Sequence, residues 1–386
     1  MTHLHRRRLL SGALGLSLIG AGRVKAAAAG ARPKLILLIA RGALDGLSLT
    51  VPWADPNHIP LRRDLAVPAP GQDGGALDLI EGFGLHPSMP GVHALFRAGQ
   101  VRFAPAVAIP ARIRSHFDAQ DVLESGAETV RGQTDGWLNR ALAASGGVAL
   151  TGLAVGAQTP LVLRGAAPVS GWAPGREIEG GDRIAAQLMD LYAGDPLLGP
   201  NLARGLETNA MAESGRIGRN DVAALGLAVA RLMTGEQGAD VVAVSVDGWD
   251  THARQAPQMT QRLAGLDGLI GGLKDGLGEE WSRTVMILAT EFGRTARVNG
   301  TNGTDHGTAS SLLLMGGAIR AGGLIGDWPT LAEARLYEGR DLAPTLDVRA
   351  VFKGVLRDHI AVDRAALDTT VFPGATGEAR PIDGLV

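Results

Sequence analysis

The chain has no cysteine in its 386 residues. That excludes a disulfide framework, a thiol nucleophile and a thiolate metal site, so any metal must be held by histidine and carboxylates. Aromatic residues are scarce at 4% of the sequence, which argues against a module that grips carbohydrate by stacking. Excess charge of one sign is missing too: 37 Lys and Arg stand against 39 Asp and Glu. Nucleic acid and anionic membrane are therefore excluded as main partners. After residue 30 no apolar run approaches the ~20 residues that a membrane span needs. What the chain does have is 45% hydrophobic residues, 55 glycines and 20 prolines. That is enough apolar material for a large core, interrupted by many tight loops.

The first 30 residues read as an address. Arg6, Arg7 and Arg8 precede a short apolar run to Gly22, and Ala26-Ala27-Ala28 offers a small-residue cleavage site. A basic segment, an apolar segment and an A-x-A site form a secretory signal. Consecutive arginines just before the apolar run point to the twin-arginine route, so the twin-arginine translocase is the expected partner during export. We expect a signal peptide over residues 1–29, cleavage near Ala28 or Ala29, and a periplasmic or otherwise exported domain over 30–386. Cleavage removes five basic residues and no acids, leaving a net charge near −7.

Beyond the leader, strand and helix patterns alternate. Lys34–Ala40, Val241–Val246 and Thr284–Ala289 are continuous apolar runs, as in strands buried on both faces. Further strands are expected at Val101–Val107 and Ser311–Met315. Helices are expected over Val92–Ala98, from Ser115 to about Ser125, within 130–150, over 222–233, about 256–276 and about 348–358. The stretch from Arg41 to Met89 reads as irregular. The stretch 150–220 reads as loops with a small helical insertion, Ile184–Tyr192 being its best helix. Alternation of this kind predicts one α/β domain with a mostly parallel central sheet between helices.

Five segments carry chemistry. D-G-W-D-T-H at 247–252 follows one apolar run, T-E-F-G-R-T at 290–295 follows another, and N-G-T-D-H-G at 302–307 precedes a third. In an open parallel sheet, residues at the carboxyl ends of strands converge on one site. Asp250, His252, Glu291, Asp305 and His306 are metal ligands or acid–base groups by type. Asn299, Gly300, Asn302 and Gly303 are turn formers that would bring His306 back to the sheet. Arg294 would either neutralise Glu291 or clamp an anion as a bidentate fork. A-R-G-A-L-D-G-L at 40–47 sets Asp45 after the first strand, as a ligand or simply a turn residue. In R-I-R-S-H-F-D-A-Q-D at 112–121, Ser115 opens a helix beside Arg114 and His116, either as a nucleophile at the positive helix end or as a plain N-cap. His58, His86, His93 and His359 stand alone and read as structural or surface groups.

Taken together, L-I-L-L-I-A-R-G-A-L-D-G-L, R-S-H-F-D-A-Q-D, G-W-L-N-R, D-G-W-D-T-H, T-E-F-G-R-T and N-G-T-D-H-G resemble the DUF1501 family, over about residues 34 to 360. The resemblance implies export, often by the twin-arginine route, and an alkaline phosphatase-like fold of the phosphatase and sulfatase superfamily. It also implies roles by position. Asp45 resembles that superfamily's first metal ligand, Ser115 its nucleophile, Asp250 and His252 a ligand pair, and His306, with Asp305 beside it, the final ligand. The D-H pair usual after the next strand is here Glu291-Phe292, so one imidazole is missing. That leaves room for a single metal, a harder ion such as Ca²⁺ or Mg²⁺, or an inactive descendant. The sulfatase motif of Cys or Ser followed by x-P-x-R is absent around Ser115.

These readings combine into an exported metal-dependent hydrolase of phosphate or related esters. Ser115 is the expected nucleophile, and Arg114 or Arg294 the oxyanion holder. Asp45, Asp250, His252, Glu291, Asp305 and His306 surround a divalent ion (Zn, Ca or Mg), and the substrate is a small anionic ester. The rival is a non-catalytic exported protein that keeps the fold to bind a partner or a surface polymer.

Overall fold

Lys34–Arg41 carries no polar residue between its ends, and in the computed structural model it forms β1, buried along nearly its whole length. The structure describes residues 32–146, 149–174, 181–192, 194–196, 198–212, 221–375, 377 and 379–386. The leader read over residues 1–29 lies outside them. In chain order the strands are β1, β2 Thr50–Val51, β3 Leu77–Ile80, β4 Phe83–Leu85, β5 Val101–Ala108, β6 Gly152–Val155, β7 Val169–Trp172, β8 Val241–Asp247, β9 Thr284–Ala289, β10 Ser310–Met315 and β11 Leu346–Asp347. The helices are α1 Gly46–Leu49, α2 His58–Arg62, α3 Pro90–Arg97, α4 His116–Ser125, α5 Trp137–Ala144, α6 Gly181–Tyr192, α7 Leu198–Ala212, α8 Val222–Met233, α9 Gln255–Leu277, α10 Val348–His359 and α11 Arg364–Ala366.

Eight strands form one sheet in the order β11-β5-β10-β9-β1-β8-β6-β7. β1 lies between β8 and β9 and runs parallel to both, with Leu35 opposite Val241 and Val285. β10 alone runs antiparallel, to β5 and to β9. The three longest apolar runs are thus adjacent central strands of a mostly parallel sheet, as their composition requires. Because β10 is reversed, its amino end lies at the same edge as the carboxyl ends of the others. The loop that carries Asp305 and His306 therefore meets the loops after β1, β8 and β9.

Alternate side chains of β1 face opposite ways and seed two cores. Leu35, Leu37 and Ile39 pack with residues of α4, α5 and α10 on one face. Ile36, Leu38 and Ala40 pack with residues of α3, α8 and α9 on the other.

Three features depart from the sequence reading. The stretch read as irregular up to Met89 contains a small antiparallel sheet, β2-β4-β3. The weakly periodic stretch after 150 contributes β6 and β7 to the main sheet and also forms the 15-residue α7. Each of those two strands is only four residues long, too short to show a period. No helix among the described residues is long and apolar enough to cross a membrane.

Candidate metal centre

Three loops and one helix start bring the site together at the carboxyl edge of the sheet. After β1 the chain turns at Gly42 with φ +110, where a Cβ would stand 2.7 Å from the Asp250 backbone nitrogen. Only glycine lets the β1 turn lie this close to the loop after β8. The loop between β9 and β10 folds back on itself, with Arg294 and His306 bridged antiparallel. Asn299 organises its tip: its carbonyl oxygen accepts from the backbone N–H of Thr301 and Gly303, and its amide donates to the His252 carbonyl and to Asp305. Asn302 takes the left-handed conformation, φ +54, which asparagine tolerates better than most residues.

His116, at the first position of α4, stands at the centre of the cluster. Its Nδ1 is 2.8 Å from Glu291 Oε1, and its Nε2 is 3.1 Å from His306 Nε2 and 3.4 Å from Asp250 Oδ2. His306 Nδ1 is 2.8 Å from the Arg114 carbonyl, while its Nε2 is 3.1 Å from both His252 Nε2 and Asp250 Oδ1. His252 Nδ1 faces Asp305 Oδ1 at 3.3 Å, and its Nε2 lies 2.8 Å from Asp250 Oδ1. All three Nδ1 partners can only accept a hydrogen bond, so each Nδ1 carries the proton and donates. Each Nε2 then presents a lone pair, and the three converge with Asp250.

Nitrogen lone pairs 3.1 Å apart repel unless a proton or a cation lies between them. One proton on His306 Nε2 would have to be shared among His116, His252 and Asp250. A metal ion serves all of them at once. Two ligands on a tetrahedral ion with bonds of about 2.05 Å stand about 3.3 Å apart, close to the spacing here. The arrangement of an Nδ1–H tied to a carboxylate or carbonyl, with Nε2 directed inward, is that of metal-ligating histidine. One ligand atom from each of His116, Asp250 and His306 lies within 4.8 Å of the other two, and His252 Nε2 adds contacts to Asp250 and His306. The donors fit a divalent cation.

Charges around the cluster keep Asp250 ionised. Burial works to raise its pKa, but the hydrogen bond and the charge of Arg294, with a hydrogen bond from His306, outweigh it and bring it to about 2. Arg294 Nη1 donates to Asp250 Oδ1 at 2.7 Å. Glu291 is also held below the usual range: burial raises it, and hydrogen bonds from His116, Gln120 and the Gly42 N–H overcome that effect. His116 is raised, chiefly by its hydrogen bond to Glu291 and against the effect of burial.

The structure distributes the residues singled out from sequence unevenly. Asp250, His252 and His306 offer atoms to the convergence. Glu291 and Asp305 stand one layer out, orienting His116 and His252. Glu291 is fully buried, and its Oε1 already accepts from Gly42, His116 and Gln120. Asp45 is not brought into the cluster: its Oδ2 is taken by Arg62, Gln255 and Ser48. Arg294 pairs with Asp250 and not with Glu291, and it is 1% exposed, which leaves no surface with which to clamp a substrate anion. The Arg114 guanidinium turns to Asp341 and Glu338, so only its carbonyl serves the site.

Ser115 occupies the N-cap position of α4, but its side chain makes no capping bond. It sits between two residues that both contact His306. The sequence reading names His116 only as a flank of Ser115. A signal was present in H-F-D-A-Q, because His116 and Gln120 are four apart on one helical face and both reach Glu291.

An α/β sheet with a metal-capable cluster at its carboxyl edge is the class that this geometry defines. The chain belongs to the family described as "Protein of unknown function (DUF1501)", which matches residues 86–371. The matched span begins after β1, so Asp45 lies outside it. No curated protein matches the chain. Among solved structures it is similar to Ps i-CgsB in complex with k-i-k-neocarrahexaose, at 11% identity over 91% of this chain and 77% of that one, TM-score 0.42. It is also similar to the C-terminal periplasmic domain of EcEptC from Escherichia coli in complex with Zn, at 9% identity over 93% of each chain, TM-score 0.40. A third likeness is to alkaline phosphatase from the Antarctic bacterium TAB5, at 12% identity over 76% of this chain and 94% of that one, TM-score 0.38. Likenesses this distant carry no argument about chemistry.

Proposed function

We propose that the chain is an exported, metal-dependent hydrolase of phosphate or related esters. The observation that supports this reading best is the meeting of three imidazole Nε2 atoms with Asp250, each ring turned by an acceptor on its Nδ1. His116, His252, His306 and Asp250 would hold the ion. Three nitrogen donors to one carboxylate suit an ion of the Zn²⁺ class better than Ca²⁺ or Mg²⁺, which prefer oxygen. When bound, such an ion supplies Lewis acidity toward a phosphoryl oxygen.

The protein's own groups do the rest. Ser115, half-buried and without a side-chain hydrogen bond among the described residues, is the nucleophile in this reading. The first-turn N–H groups of α4 and its positive end favour the anionic ester beside Ser115. Arg294 keeps Asp250 charged and fixed. Glu291, Asp305 and the Arg114 carbonyl keep the three rings in the tautomer that leaves Nε2 free.

The test is metal analysis of protein purified from its native compartment, together with hydrolysis of p-nitrophenyl phosphate. Asp250→Ala and His306→Ala should lose metal and hydrolysis together, whereas Ser115→Ala should lose hydrolysis and keep the metal. Protein that binds no divalent ion, and whose melting temperature ignores chelators, would favour the non-catalytic binding protein instead. Export is tested separately. Changing Arg6, Arg7 and Arg8 to Lys should trap the precursor in the cytoplasm, and normal export of that variant would exclude the twin-arginine route.

A further inference from the structure

A second cleft, of about 390 Å³, opens at the carboxyl ends of β6 and β7 against α7. That volume is in the range of small-molecule sites. None of the four residues of the metal cluster lines it. Among the described residues its lining carries no charge: Gln158, Thr159 and Asn201 supply amides and a hydroxyl, Trp172 an indole, and the remainder is alanine, glycine and leucine.

Two details of this lining have no explanation in folding. Gly205 lies inside α7, where glycine is a poor helix former. A Cβ there would meet nothing within 4 Å, and its φ is not positive. Gly171, inside β7, is in the same position: open space above it and no positive φ. Neither crowding nor backbone conformation calls for glycine at these sites, and what glycine leaves at both is room in the cleft.

We propose that this cleft binds an uncharged, hydroxyl-rich ring, such as one glycosyl unit of a saccharide. A lining without charge disfavours an ionic ligand, which would lose its hydration without compensation. Amides donate to and accept from sugar hydroxyls, and so does the threonine hydroxyl. The alanine and leucine surfaces take the C–H face of the ring. If the hydrolase reading holds, the ring belongs to a part of the substrate remote from the scissile ester. Binding at the cleft does not depend on that reading.

The experiment is calorimetric titration of the full protein with glucose, galactose, lactose and cellobiose, and with glucose 6-phosphate as the charged control. At least one neutral sugar should bind at millimolar concentration or below, and the phosphate more weakly. Gly171→Val and Gly205→Leu should each weaken that binding at least tenfold. Gly205→Leu should at the same time raise the melting temperature, since a good helix former replaces a poor one. Failure of all four neutral sugars, equal or tighter binding of the phosphate, or binding indifferent to both glycine substitutions would overturn the proposal. The readout is binding without turnover, so its failure leaves the metal centre standing, and failure of the metal centre leaves this cleft untouched.

Discussion

Glu291 Oε1 accepts from three donors, and its only route to the cluster is through the His116 ring. Its work is to hold a tautomer. Glu291→Gln should therefore weaken metal binding by about 10–100-fold without abolishing it, the usual cost of losing such an orienting partner. His116→Ala removes an inward-facing Nε2 and should cost much more. Competition against a chromophoric chelator separates the two, and equal losses would mean that Glu291 itself binds the ion. At this scale the sequence was legible by residue type and not by role. Asp250, His252 and His306 could be picked out because carboxylate and imidazole clustered after apolar runs. Glu291 and Asp305 share that chemistry, and only the direction of their hydrogen bonds shows that they orient rings. Asp45 stands where a ligand would stand, but its partners Arg62 and Gln255 lie 17 and 210 residues away, beyond the reach of any local pattern.

Between elements, the tightest fit is the turn after β1. Gly42→Ala would place a side chain at φ +110 and against the Asp250 backbone. Strain alone should cost on the order of 1–3 kcal/mol, and the displaced Asp250 loop should bind metal less well. Urea unfolding of the metal-free variant checks the first effect and a metal titration the second. An unchanged midpoint would mean that the two loops can move apart freely. The long helices α8, α9 and α10 and the three central strands were readable because each carries a sustained apolar pattern. β6, β7 and β2 to β4 were not, since two to four residues leave no period to read. The reversed direction of β10 was equally hidden, because strand direction depends on which neighbour pairs and not on the strand's own composition.

For the molecule as a whole, acid sensitivity follows from histidines outside the metal centre: His359, which burial pushes to about 4 against its hydrogen bond to the Lys34 carbonyl, and the buried His58 and His86. Burial pushes His58 down to about 4, helped by Arg62 and opposed by Asp45 and Asp55. His86 is likewise pushed to about 4, by burial against the pull of Asp45. All three are neutral in the folded protein and ordinary in the unfolded chain. Their contribution is complete above pH 6.5 and is lost as pH falls from 6.5 toward 4, by up to about 3 kcal/mol each. Melting temperatures across that window should fall, and less steeply in His58→Gln; parallel curves would remove His58 from the account. The strand order has a consequence of another kind, in the time it takes to make the chain. β1 is synthesised first, yet it sits between β8 and β9, whose pairing residues begin more than 200 positions later. At ribosomal speeds the delay is roughly 10 to 40 s. Throughout it, K-L-I-L-L-I-A-R is an apolar strand with neither neighbour made, so a nascent chain halted before residue 241 should bind holding chaperones and aggregate without them.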